Sequence, residues 1–302
     1  MKKKITLIAL SSFLTLVLSI IAFLPVNFNT VDVQAWMSEV NDDTALLNMS
    51  IPGTHDSGAL YSIADVSGKC QDLSIKEQLK VGARFLDIRL QSVNDKLKVV
   101  HSFVDQKLSF KKVLDDVSAF IDKYPSEFVI ISIKEDANSK NSTKSFQDLV
   151  TNELASYNRV DYSTKLPQTL KDARGKIFIF SRFNAPYGIQ AYNGWQDSTT
   201  FEIDGIHVQD NYAIDHIQTK KESILSAIEH CQTNPELLHI NFVSCYLNDS
   251  FPPTYAGTTA KELNEWIQDY LYSSQNKKTV GIVLFDFITE KLAYSVYRNN
   301  IE

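Results

Sequence analysis

Cysteine is nearly absent: Cys70, Cys231 and Cys245 are the only three in 302 residues. An odd set of three is too small for a disulfide framework and lacks the paired spacing of a zinc site. Cys231 and Cys245 could pair outside the cell, or all three could be small buried thiols; both readings stay open. Positive charge is also short, with 30 Lys and Arg against 36 Asp and Glu, a net charge of −6. That balance argues against a nucleic-acid partner and against adhesion to anionic lipid by net charge alone. Internal repeats and low-complexity tracts are missing, which excludes solenoid and fibrous architectures.

Only one long apolar run is present, from Ile5 to Leu24, behind the basic opening Met1-Lys2-Lys3-Lys4 and ahead of Val33-Gln34-Ala35. Basic start, apolar run and small-residue site together read as an export signal over residues 1–35, so the folded part is expected outside the cytoplasm, secreted. The run is close to the length of a membrane span, so a cleaved leader and a retained anchor are both open. Residues 36–302 then form one domain of 267 residues, within reach of a single large core. Its net charge moves to −8, because the leader holds three lysines and one aspartate.

Along that domain, short runs rich in Val, Ile and Phe alternate with stretches of helical period, the pattern of strands and helices around a parallel sheet or barrel. Strands are expected over 85–90, 97–101, 128–134, 176–182, 206–209, 237–243 and 280–286. Helices are expected over 110–124, with Ser109 as N-cap and Pro125 after its end, and over 143–157, 222–231 and 260–271. Residues 184–200 have no period and read as a long loop. The strands ending at Lys134, Arg182 and Asp286 each close an apolar run with a charge. In a parallel barrel those ends share the rim that carries active sites.

Chemistry concentrates between residues 51 and 101. Ile51-Pro52-Gly53-Thr54-His55-Asp56 places a histidine after a turn sequence, at the end of a short strand. Asp87 and Arg89 alternate with Leu86, Ile88 and Leu90, so the period of two in a strand sends the charged pair to one face and the apolar set to the other. His101 ends the next strand. Two histidines, two carboxylates and an arginine supply a base, an acid and a cation, the set that splits a phosphate ester without a metal.

These residues and spacings, continued by Lys134, Arg182, Asp210-Asn211-Tyr212 and Asp286, resemble bacterial phosphatidylinositol-specific phospholipase C from about Trp36 onward. The resemblance implies a single, distorted TIM-like β/α barrel and a lyase that converts phosphatidylinositol to diacylglycerol and a cyclic inositol phosphate. It implies that His55 is the general base toward the inositol 2-hydroxyl, oriented by Asp286, and that Asp56 and His101 form a composite acid. Arg89 would hold the phosphate, steadied by Asp87. Lys134, Arg182, Asp210 and Tyr212 would hold the inositol ring, joined by either Glu135 or Asp136. Metal-dependent relatives carry a calcium-ligating carboxylate at the place of Arg89, so no metal and no cofactor are expected.

The expected partner is phosphatidylinositol in membranes, bound transiently by a monomer, with 251–255 and Leu60-Tyr61 as candidate docking residues; whether glycosylphosphatidylinositol-anchored proteins are also cleaved stays open. His207, His216, His230 and His239 have no partner motif and are expected to be structural or exposed. Two rival readings remain: a metal-dependent glycerophosphodiester hydrolase, and a barrel without turnover that binds inositol headgroups or glycans.

Overall fold

A computed structural model describes residues 32–62, 68–102, 104–248, 256–273 and 278–301. The stretch Val33–Glu302 forms one compact unit. Residues 1–31 of the expected export signal, and the docking candidates 251–255, lie outside the described residues. Among the described residues no helix is long and apolar enough to cross a membrane.

The strands run in chain order as β1 Ile51–Thr54, β2 Phe85–Val93, β3 Lys96–His101, β4 Val104–Ser109, β5 Val129–Glu135, β6 Val160–Asp161 and β7 Ile177–Arg182. They continue as β8 Ile189–Gln190, β9 Thr200–Ile203, β10 Ile206–Gln209, β11 Ala213–Ile214, β12 Leu238–Phe242, β13 Tyr246–Leu247 and β14 Ile282–Phe285. Neighbours in the sheet follow the order β7-β5-β2-β1-β14-β12-β10, all parallel. Helices connect most of these strands, which is the expected distorted barrel. Among the described residues no ladder joins the β7 edge to the β10 edge. Trp195 stands in that seam, its ring edge-on to Phe180 of β7, Phe201 of β9 and Phe242 of β12 at 6.3, 5.3 and 6.3 Å.

One expected strand takes a different role. Residues 97–101 form β3, which runs antiparallel to β2 and continues antiparallel into β4 instead of joining the parallel wall. The cause is the two-residue turn Asn94-Asp95, both with positive φ (51° and 57°), the geometry that folds a strand straight back on itself. The long loop contains the short strand β8, paired parallel to β7.

Helix Phe110–Lys123 begins where Ser109 Oγ accepts from the Lys112 amide at 3.2 Å. Its buried Val113, Leu114 and Val117 share a core with Leu86, Ile88 and Leu90 of β2 and Ile131 and Ile133 of β5. Alternation therefore leaves Phe85, Asp87 and Arg89 for the barrel interior, where Phe85 meets Phe180 edge-on at 5.8 Å. Gly53 in β1 permits the close strand packing: a Cβ there would lie 2.8 Å from Phe85 Cβ.

Beneath the barrel, Arg84 and Glu127 form a fully buried pair at 2.8 Å. Arg84 also donates to the Leu79 and Ala83 carbonyls and stands over the Phe120 ring. Glu127→Ala strips a buried guanidinium of its counter-charge and is expected to cost about 3–5 kcal/mol in urea unfolding. A loss under about 1 kcal/mol would remove this pair from the account of stability.

Candidate active site

The parallel strands deliver their C-terminal ends to one rim, and the expected residues stand there. His55 follows β1, Arg89 lies in β2, Lys134 is near the end of β5, Arg182 ends β7, Asp210 follows β10 and Asp286 follows β14. They line a cavity of about 820 Å³ together with His101 and Tyr212. Asp56 and Asp87 are wholly buried behind that surface.

His55 is held from both sides. Its Nδ1 is 2.7 Å from Asp286 Oδ1, and its Nε2 is 2.8 Å from Arg89 Nη2. A guanidinium only donates, so Nε2 accepts and Nδ1 carries the proton given to Asp286. In that tautomer Nε2 is able to accept a proton. Burial pulls the His55 pKa down, but Asp286, by charge and hydrogen bond, together with Asp87 outweighs burial and Arg89 and leaves it raised above 6.5.

Asp87 is the anchor of the cationic side. Its Oδ2 accepts from Arg89 at 3.2 Å and its Oδ1 from Arg182 at 3.3 Å. Burial alone would raise this carboxyl, yet Arg89 and then Arg182 hold it well below the usual carboxylate range. Asp87 Oδ2 also takes the Asp56 amide at 3.1 Å, which helps fix Asp56 at a φ of 40°, an unusual conformation for a residue with a Cβ. Asp56 Oδ2 then lies 3.2 Å from His101 Nδ1 and 3.6 Å from Arg89 Nη1. Neither carboxylate oxygen of Asp56 has a hydrogen bond of good geometry, and burial pushes its pKa up despite these cations. An aspartate that resists ionisation beside a histidine is a proton-sharing pair.

Arg182 also lines the cavity, its guanidinium 3.6 Å above the Trp195 ring. Lys134 pairs with Asp136 at 2.7 Å, and Asp136 also accepts the Ser102 amide. Of the two carboxylates the sequence left open, Asp136 lines the cavity and Glu135 does not. Tyr212 donates its hydroxyl to Asp197 and tilts against Tyr246.

Several site residues had no sequence signal. Trp195 sits in the unpatterned loop, and Cys70 Sγ lies 3.7 Å from His101 Nδ1. Gln71 donates to the His55 and Phe285 carbonyls at 2.9 and 2.8 Å, tying the base to β14. Cys231 and Cys245 are free and buried, so the disulfide left open by the sequence is not formed. The sets His55, Cys70, Asp286 and Asp56, Cys70, His101 each bring three ligand-type atoms within 4.8 Å. Arg89, whose positive charge touches both sets, opposes a cation there.

Comparison with known proteins adds the lineage. The family description "Phosphatidylinositol-specific phospholipase C, X domain" matches residues 49–183. A protein of Staphylococcus aureus strain Newman named 1-phosphatidylinositol phosphodiesterase is 30% identical, the match covering 83% of this chain and 87% of that one. One of the same name from Listeria monocytogenes is 27% identical over 90% of this chain and 86% of its own length. Among solved structures, a double mutant of the S. aureus phosphatidylinositol-specific phospholipase C superposes with a TM-score of 0.78 at 26% identity, covering 90% of this chain and 98% of that one. The L. monocytogenes enzyme gives 0.74 at 26% identity over 89% and 99%. Rim, cavity and kinship agree, and the chain belongs to the phosphatidylinositol-specific phospholipase C family.

Proposed function

We propose that this chain is a secreted phosphatidylinositol-specific phospholipase C that needs no metal. The observation that carries the reading is the clamp on His55, with Asp286 on one nitrogen and Arg89 on the other. In the reaction, His55 Nε2 takes the proton of the inositol 2-hydroxyl, and that oxygen attacks the phosphorus. The bond from phosphorus to the diacylglycerol oxygen breaks, and the Asp56–His101 pair gives that oxygen a proton. The products are diacylglycerol and inositol 1,2-cyclic phosphate. A nucleophile on the same ring carries a large effective molarity, so the protein has only to activate it and to balance charge.

Arg89 turns from His55 to the phosphoryl oxygens as substrate enters, which frees the Nε2 lone pair at the moment it is needed. Asp87 keeps the guanidinium in place during this exchange. Lys134, Arg182, Asp136 and Asp210 offer donors and acceptors to the ring hydroxyls, and Tyr212 offers an apolar face.

The deciding experiment incubates the purified chain with phosphatidylinositol vesicles in excess EDTA and follows release of cyclic inositol phosphate. Full activity in EDTA is expected. Product that returns only with calcium would favour the metal-dependent rival, and tight headgroup binding without product would favour the binder.

The substrate lies in a bilayer, and a structural study of the S. aureus enzyme concerns its membrane binding. In this chain Tyr61 is 45% exposed, and its carbonyl shares the Gln106 amide with the carbonyl of the cavity-lining Gly68. Its ring lies 4.4 Å from the Lys107 ammonium, a basic group beside an aromatic one. Tyr61→Ser is expected to lower cleavage in vesicles several-fold and leave a soluble inositol phosphodiester unaffected. Equal loss on both substrates would remove Tyr61 from the docking surface.

A further inference from the structure

Three histidines outside the reaction converge at the opposite end of the barrel. His207 and His239 are each the second residue of their strands, β10 and β12, and are paired in register across that parallel ladder. Paired residues of a parallel ladder face the same side of the sheet. Helix Ile217–Thr233 crosses between these strands and brings His230, in its last turn, over the same spot. One ring nitrogen from each of the three lies within 4.8 Å of the others.

One hydrogen bond fixes the tautomer of His239. His239 Nδ1 donates to the Leu237 carbonyl at 3.0 Å, so its Nε2 presents a lone pair. His230 Nε2 lies 3.4 Å from a carboxylate oxygen of Glu202, the residue paired with His207 across the β9–β10 ladder. His230 Nδ1 is 3.1 Å from His239 Nε2; since that nitrogen only accepts, His230 Nδ1 donates to it in the absence of an ion, and a bound ion would take the place of that proton. His207, 6% exposed, adds an Nδ1 that is buried with no hydrogen-bond partner.

We propose that His207, His230 and His239 form a binding site for a borderline divalent metal ion such as Zn²⁺, open to solvent on the His230 side. Neutral imidazoles select zinc-like ions over calcium or magnesium. About 3.3 Å separates neighbouring donors on a tetrahedral ion with bonds near 2.05 Å, so the 3.1 Å edge is already of metal-site size, while the His207 ring, stacked on His230 at 4.0 Å, has to rotate out of the stack to aim a nitrogen at the ion. The carbonyl behind His239 and the carboxylate behind His230 are the partners that orient metal-binding histidines. Because the ligands come from two strands and the helix between them, the ion would clamp this half of the barrel rather than act on substrate.

The test titrates Zn²⁺ alone into the metal-stripped chain at pH 7.5, reading stoichiometry by calorimetry, melting temperature, and cleavage of a soluble inositol phosphodiester. One equivalent is expected to bind and, in modest excess, to raise Tm by about 5 °C or more with cleavage unchanged. His230→Ala, at a partly exposed position, and His239→Gln are each expected to abolish binding and the Tm rise while keeping activity without metal. Calcium is expected to do nothing. No binding by the wild type would overturn the proposal. So would one equivalent that still binds His230→Ala and inhibits cleavage, which would place the ion at the Cys70 clusters of the rim.

Discussion

His55→Ala lowers formation of cyclic inositol phosphate by about 10³- to 10⁴-fold, the range for loss of a positioned general base. His55 Nε2 is the accepting nitrogen of the rim, and the carboxylates around Arg89 and Lys134, Asp87 and Asp136, are themselves paired with those cations. Asp286→Asn probes the same unit through its orientation. An amide at that position can present its NH₂ to Nδ1 and reverse the tautomer, so a loss of about 10³-fold is expected. The two losses do not add, since both disable one base. The pH profile separates this from simple misfolding. The base works unprotonated, so activity falls as pH drops through the raised His55 pKa. Without the Asp286 charge, burial and Arg89 both push that pKa down, and the acidic limb moves to lower pH. A limb that stays in place in Asp286→Asn would show that another group sets it.

Arg89→Lys keeps the charge and loses about 10²- to 10³-fold in kcat, with a smaller change in KM. The guanidinium reaches Asp87, Asp56 and His55 at once, at 3.2, 3.6 and 2.8 Å. An ammonium on a flexible stem cannot span that fork or give two parallel bonds to phosphoryl oxygens. The contact matters most where charge builds on phosphorus, so the loss falls on the chemical step. A large rise in KM with kcat intact would make Arg89 a ground-state binding group instead.

Much of the rim was legible because a period of two needs no tertiary information. Alternation in β2 sorted Asp87 and Arg89 from Leu86, Ile88 and Leu90, and the terminal charges Lys134, Arg182 and Asp286 marked where strands leave the core. The same alternation carried one residue past β5 would have chosen Asp136 over Glu135. The turn Asn94-Asp95 was readable as well, and it would have moved β3 out of the parallel wall. Trp195, Cys70 and Gln71 were not legible, since each reaches the site from an irregular segment whose path is set by what it packs against. The histidines at the foot of the barrel were visible one by one and not as a group. Their meeting depends on the register of β10 against β12, which no local pattern encodes.

The unjoined edge between β7 and β10 has its own consequence for how this pocket can change. Where a wall is a ladder of backbone bonds, its width is common property of every residue in it. In this seam the wall is the indole of Trp195, wedged between Phe180, Phe201 and Phe242 and roofed by Arg182. The width of the wall here is thus a side-chain trait, adjustable by one substitution while the strands on either side keep their pairing.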